Sequence, residues 1–193
     1  MTRANADAPR SLGNFARIPG TPFLMADIHS SVAGRLSPVS SYSYGKGATT
    51  HNYVFLDVTD QSVRRLIPTN DYLIRETEQL SESGVVSLPA VTEGVVRVGV
   101  RWLLFEVVTQ DTDHDGDLDE EDLRSLAVSD AGGRGYTELI GGIEDLYGRA
   151  LRDPDTLVVV YKCEGTKRVS VIDLPRRAVT TTAALPGLGT DVR

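Results

Sequence analysis

Cysteine is almost missing from this 193-residue chain. Cys163 stands alone, so no internal disulfide can form and no cysteine-based zinc site can assemble. It lies in "LVVVYKCEG", a strand-like run where a free cysteine behaves as a small hydrophobe. Histidine is scarce too: His29, His51 and His114 are far apart and share no ligand-type spacing. Serine–histidine catalysis needs a positioned histidine. His29 and His51 fall in or beside loops, with no motif tying them to a serine. No apolar run approaches the roughly 20 residues that span a bilayer, so no membrane span is expected. The first residues, "MTRANADAPRSLGNF", hold no apolar signal core. No basic stripe is interleaved with aromatics, which removes the usual footprint of a nucleic-acid binder. "GKGATT" (45–50) lacks the spacing of a phosphate loop, and Glu93, Glu106 and Asp145 stand isolated along the chain.

Long helical periodicity is also lacking. "IEDLYGRAL" (143–151) is too short to settle, and Gly148 argues against a stable helix there. What remains is mostly strand chemistry. Residues 1–20 are rich in Ala, Arg, Asn, Pro and Gly and read as a loosely ordered lead-in. Residues 21–193 read as one β-rich domain. "TPFLMADI" (21–28) is a candidate first strand. The Ser/Gly/Thr/Pro-dominated stretch 30–50, with Tyr42 and Tyr44, is a loop expected to pack on the core. "NYVFLDV", "TDQ" and "SVRRLI" make a hairpin, and "DLRSLAVSD", "AGGRG" and "YTELI" make a second. The Val-rich stretch from "GVVSLP" to "WLLFEVVTQ" holds two or three strands. "TLVVVYKCEGTKRVSVIDLPRRAVTTTAAL" holds three more, separated by "CEGT" and "LPRR".

Three segments repeat one form: a strand ending in Asp, a turn, then a strand ending near Leu. They are "VFLDVTDQSVRRLI", "LAVSDAGGRGYTELI" and "SVIDLPRRAVTTTAAL", with Asp57, Asp130 and Asp173 at the strand ends. Asp130 and Asp173 are 43 residues apart, about the length of a four-stranded propeller blade. The unit running from "YTELI" to "TTTAAL" resembles the blade repeat of TolB-type β-propellers. "DPDT" stands where that family has its Ser-Pro-Asp-Gly turn, whereas Leu151 and Arg152 replace its usual tryptophan. Under this resemblance "IEDLYGRAL" is strand plus loop. The implied fold is mainly β: an antiparallel meander of about three blade-like units forming an open or incomplete propeller, since closed rings typically need at least four blades. Open ends are normally covered, so the expectation is a self-capped monomer or a homodimer.

The charge of the chain is concentrated in one place. It carries 27 acidic and 20 basic residues, and eight of the acids lie in "DTDHDGDLDEED" (111–122). Without those eight, 19 acids would face 20 bases and the chain would be near neutral. Such self-repulsion is disfavoured unless water or a cation screens it. Calcium takes six to eight oxygen ligands, and a short loop supplies them when alternate residues carry oxygen and a glycine permits the bend. Counted from Asp111, the loop places Asp111, Asp113, Asp115, Asp117, Asp119 and Asp122 at positions 1, 3, 5, 7, 9 and 12. Gly116 falls at position 6 and apolar Leu118 at position 8. Magnesium, which prefers small octahedral sites with several waters, suits this set less well.

The loop resembles EF-hand loops, and dockerin modules in particular, which also carry Asp at position 12. The resemblance implies one Ca²⁺ held by Asp111, Asp113, Asp115 and Asp122, by the carbonyl of Asp117, and by Asp119 directly or through water. A strand, "WLLFEVVTQ", precedes the loop where an EF-hand has a helix, and one short helical turn is expected from Asp119 to Leu126. A lone loop between strands pins that connection, and its modest affinity would suit periplasmic or extracellular calcium. The sequence therefore points to a calcium-stabilised, non-enzymatic β-protein that binds a protein partner. The alternative is a hydrolase-type enzyme whose residues meet only in the fold. A deep cleft with convergent polar groups would favour the enzyme, and a flat exposed apolar patch the binder.

Overall fold

The computed structural model describes residues 9–31, 48–81, 84–86 and 99–185. Tyr42, Tyr44, Glu93 and most of the 30–50 stretch lie outside them. Every regular element among the described residues is a strand, and every pairing is antiparallel. No helix among them is long and apolar enough to cross a membrane.

The first sheet begins with β1 (Arg10–Leu12) and β2 (Ala16–Arg17), both laid along the same edge of β3 (Phe23–Ser31). The lead-in thus contains two paired strands. Backbone pairing needs no apolar side chain, so composition hides such strands. β3 pairs with β4 (Ala48–Asp57), and the far edge of β4 is shared. β5 (Val63–Arg65) pairs along Val54–Leu56, while β6 (Leu73–Ser81) touches β4 through the single pair Thr50↔Ile74. β6 also pairs β7 (Gly84–Val86). A meander then runs β6, β8 (Val100–Val108), β9 (Arg124–Asp130) and β10 (Thr137–Ile143). The second sheet is a four-stranded meander of β11 (Asp145–Asp153), β12 (Thr156–Cys163), β13 (Thr166–Asp173) and β14 (Ala178–Ala184). Glu144 alone joins the two sheets along the chain. "IEDLYGRAL" is accordingly strand, and no closed ring of sheets forms among the described residues.

The strand-end aspartates close turns. Asp57 Oδ1 accepts the Thr59 N–H at 2.9 Å, Asp130 Oδ1 accepts those of Gly132 and Arg134 at 2.9 and 2.7 Å, and Asp173 Oδ1 accepts that of Arg176 at 2.9 Å. A short carboxylate can hydrogen-bond the backbone two or more residues on, which explains why the same residue recurs where a strand must turn. The "CEGT" connection turns through Glu164 (φ 51°) and Gly165 (φ 71°), the left-handed pair that a two-residue hairpin requires.

β8 decides where the core lies. Side chains alternate across a strand, and both faces of β8 are covered. Leu103, Phe105 and Val107 enter one cluster with Ile18, Met25, Tyr53, Phe55 and Ala127. Leu104 enters a second cluster with Leu126, Val128, Ile143, Leu157, Val159 and Ile172, which packs the first sheet onto the second. Glu106 belongs by the same alternation to the second face and is buried there. It is the one charged side chain among the buried residues of β8.

Candidate metal centre

The acidic loop connects β8 to β9, the two middle strands of their meander. It is built from carboxylates that fold back on their own backbone. Asp111 accepts the N–H of His114 at 2.6 Å and of Gly116 at 3.0 Å. Asp113 accepts that of Asp115 at 3.1 Å, and Asp115 that of Asp117 at 2.9 Å. Gly116 sits at φ 101° and His114 at φ 67°, so the chain bends where position 6 requires it. These turns bring Asp111, Asp113 and Asp115 together, with one oxygen from each within 4.8 Å of the others. A carboxylate oxygen already taking one N–H keeps a further lone pair. Three hard oxygen donors at this spacing suit a hard cation rather than a softer metal.

Asp117, Asp119 and Asp122 fall outside that cluster. Asp119 Oδ1 accepts the Glu121 N–H at 2.7 Å. Asp122 is 4% exposed and ties the loop's two ends together. Its Oδ1 accepts the N–H and hydroxyl of Thr112 at 2.5 and 3.0 Å, and its Oδ2 accepts the Asp119 N–H at 3.1 Å. Burial pushes the Asp122 pKa up, but these donors outweigh it and hold the carboxyl below its ordinary value. Asp113 goes the other way. The Asp115 N–H lowers it, yet desolvation and the charges of Asp115 and Asp122 leave it raised, the mark of crowded like charge.

The helical turn expected from Asp119 to Leu126 does not form. Residues 119–123 follow irregular bends, and β9 begins at Arg124. Asp119 accepts the Glu121 N–H as a cap would, but the Leu123 N–H, which would make the first intrahelical bond to the Asp119 carbonyl, is taken by Thr112 Oγ1 at 2.9 Å. Without that bond a short helix, whose nucleation is already costly, does not start.

Close to the loop, Arg75 reaches Glu120, its Nη1 donating to the carbonyl at 3.2 Å and its Nη2 lying 3.6 Å from the carboxylate. Arg75 lines an open groove of about 630 Å³ between the two sheets, together with Glu76, Glu78, Glu106, Arg124, Tyr147 and Arg149. Arg149 from β11 spends all three guanidinium nitrogens on the first sheet. Nε meets Glu78 at 2.6 Å, Nη1 meets Glu106 at 2.6 Å and Nη2 meets Glu76 at 3.0 Å. Arg124 adds 3.2 Å to Glu106 and 3.0 Å to the Glu144 carbonyl. Glu106 and Glu76 face each other across the β6–β8 ladder and split in pKa. Burial raises Glu106, but Arg149, Glu76 and Arg124 bring it below its ordinary value. Burial and Glu106 leave Glu76 raised. The charges in this groove are spent on one another, which marks it first as the joint between sheets. Sequence alone gave no sign of it, because its members come from four strands.

Strands, not loops, place His29 and His51. His29 Nδ1 lies 2.8 Å from Asp27 Oδ2, and His51 Nε2 lies 2.8 Å from Ser30 Oγ, so a serine and a histidine without a shared motif do meet. His114 is in the loop, its Nδ1 3.1 Å from the Thr112 carbonyl. Asp145 sits at the start of β11, 4.0 Å from Lys162 Nζ.

No family model matches this chain, and no curated protein matches it. Among solved structures it is similar to the β-propeller domain of the Trilobed protease from Pyrococcus furiosus, described as having an open velcro topology. The TM-score is 0.44 at 8% identity, over 93% of this chain and 44% of that one. The chain spans less than half of that structure's length.

Proposed function

We propose that this is a calcium-stabilised β-protein of blade-like units, an open propeller, in which a single EF-hand-like, dockerin-like loop pins the β8–β9 connection and the sheets serve as an interaction module for a protein partner. The observation that carries the reading is the convergence of Asp111, Asp113 and Asp115 within 4.8 Å around a glycine-permitted bend. In the loaded loop these three supply carboxylate oxygens, and the Asp117 carbonyl, Asp119 and Asp122 complete the shell after a local closure. Calcium contributes charge neutralisation there and no chemistry. Asp122 already clamps Thr112 to Asp119, so it holds the loop's ends close enough for that closure. The meander β11–β14 supports the blade-like reading by its order, and the edge of β14, exposed from Thr180 to Ala184 and unpaired among the described residues, offers an extended partner segment a strand to pair with. A lone loop of modest affinity fits periplasmic or extracellular calcium.

Calorimetric titration of chelator-treated protein tests the loop. One calcium per chain is expected, and Asp115→Ala should abolish its heat. The melting temperature should rise with calcium, the ligand adding ~2.7 kcal/mol at a hundredfold excess over Kd. No heat at millimolar calcium, with Asp115→Ala indistinguishable, removes the metal from the account.

A further inference from the structure

We propose that Ser30 and His51 form the nucleophile and general base of a hydrolytic site for carboxylic esters, with Arg10 beside them as the stabiliser of the oxyanion. The pair arises from an irregularity. β3 and β4 run in register through Ile28↔Asn52 and then shift to His29↔Thr50, so His51 has no partner across the ladder. Its ring bridges Ser30 on one side and the Tyr72 carbonyl on the other, at 2.8 Å from Nε2 to Ser30 Oγ and 3.0 Å from Nδ1 to the carbonyl oxygen.

That second contact fixes the tautomer. A carbonyl oxygen only accepts, so Nδ1 carries the ring proton and Nε2 is left as the acceptor. The Ser30 hydroxyl therefore donates into Nε2, the arrangement in which a histidine can take the proton of an attacking hydroxyl. The Tyr72 carbonyl does the orienting that a carboxylate does in the common triad. His51 is 7% exposed and shielded from water, whereas Ser30 is only partly buried. Burial also lowers the His51 pKa, which favours the unprotonated ring.

Arg10 supplies the third part. It stands directly opposite Ser30 in the β1–β3 ladder. Its Nη2 lies 3.7 Å from Asp71 Oδ1, and its buried Nε has no hydrogen-bond partner. Arg10 carries its guanidinium on the residue paired with the nucleophile, and such a cation is suited to the charge that develops on an acyl oxygen. In the reaction, Ser30 Oγ bonds to the acyl carbon while its proton passes to His51 Nε2. The carbonyl oxygen gains charge beside Arg10. The C–O bond to the alcohol then breaks and the alkoxide takes the proton from His51. Water repeats the sequence on the acyl-serine, giving the acid and restoring Ser30. Ester and water are consumed, and acid and alcohol are released. This site is separate from the acidic loop and independent of the calcium reading; where it holds, the module carries an activity as well.

Labelling by a fluorophosphonate probe, with the modified serines located by peptide mass spectrometry, tests the proposal on the full unmodified chain. Exposed Ser11, on the neighbouring strand, is the internal reference. Ser30 should react at least a hundredfold faster than Ser11, as expected for a positioned general base. His51→Gln should cut labelling of Ser30 at least tenfold while circular dichroism confirms the fold. Turnover of p-nitrophenyl butyrate should be lost in Ser30→Ala. Labelling of Ser30 at the rate of Ser11 in the unmodified protein would overturn the assignment without need of any variant. So would turnover by Ser30→Ala equal to that of the parent.

Discussion

Replacing Arg149 by Met keeps the aliphatic stem and removes the guanidinium that joins the two sheets. Its side chain is 10% exposed, and so little water reaches Glu106, 9% exposed, that the carboxylate depends on the protein for its partners. Removing one member of a buried ion pair costs about 3–5 kcal/mol, because the other charge stays buried without compensation. Two features put this case at the lower end. Arg124 still reaches Glu106 at 3.2 Å, and Glu76, 53% exposed, is screened by water. The expected loss is about 3 kcal/mol, which for a chain of this size is a fall of roughly 6–12 °C in melting temperature. Urea and thermal unfolding followed by circular dichroism measure it. Adding Glu106→Leu should return much of the loss, since an apolar pair can replace a buried ionic one. A pH series adds a sign test. Glu106 is held below its ordinary value of 4.5, so its contribution is complete above that value and is lost as the pH falls through its folded pKa. Glu76 is held above 4.5, so just above that value it binds a proton in the folded state and works in the opposite direction. Arg149→Met should flatten the acid limb. A loss under about 0.5 kcal/mol, the range of ordinary surface changes, with an unchanged acid limb, would refute the view that this cluster joins the sheets.

Three other outcomes are expected. Asn52, fully buried, donates to the carbonyls of Ile67 and Thr69 and accepts from the Tyr53 and Ile67 N–H groups. Asn52→Ala should cost about 2–3 kcal/mol by urea titration, because buried backbone groups lose their partners. Gly133 stands at φ 75°, and a Cβ there would lie 2.5 Å from the buried Phe55 ring. Gly133→Ala should cost about 2–4 kcal/mol through strain and overpacking, whereas Gly148→Ala, with nothing within 4 Å of its Cβ, should be tolerated. β1 and β2 cover the edge of β3, so light scattering should give a monomer of 20.9 kDa, and removal of residues 1–17 should cause aggregation.

Three of the four strands of the second sheet were legible because their turns are written in local chemistry; β11 was not, since Gly148 and a short apolar spacing left 143–151 unsettled. "DPDT", "CEGT" and the strand-end Asp173 mark three successive reversals, and Val-rich runs lie between them. The clustering of Asp111, Asp113 and Asp115 was legible for the same reason, since five consecutive residues carry it. The joint between sheets was not legible. Glu76, Glu78, Glu106 and Arg149 are ordinary charged residues until antiparallel register and strand alternation bring them to one face. His51 and Ser30 meet through a register shift that no pattern of polar and apolar residues encodes. The short helix failed because the Leu123 N–H it needed is held by Thr112, eleven residues earlier, which a local rule for a helix start does not see.

The position of β8 between the two clusters governs how the protein comes apart. Neither half can melt and leave the other whole, since Phe105 and Leu104, adjacent in sequence, anchor opposite clusters on one strand. Loss of β8 pairing exposes both at once. The chain should therefore unfold as one cooperative unit despite its two sheets, with coincident transitions by fluorescence and circular dichroism. The amides of β8 and β9 should exchange with solvent only through global opening, while those of β1, β5 and β14 exchange through local fraying. A fragment ending at the boundary between the sheets would retain all the strands of the first and still leave Leu104, Leu126 and Ile143 bare. Cutting the chain at Glu144 should thus yield two insoluble pieces, although the strand order divides there into two sheets.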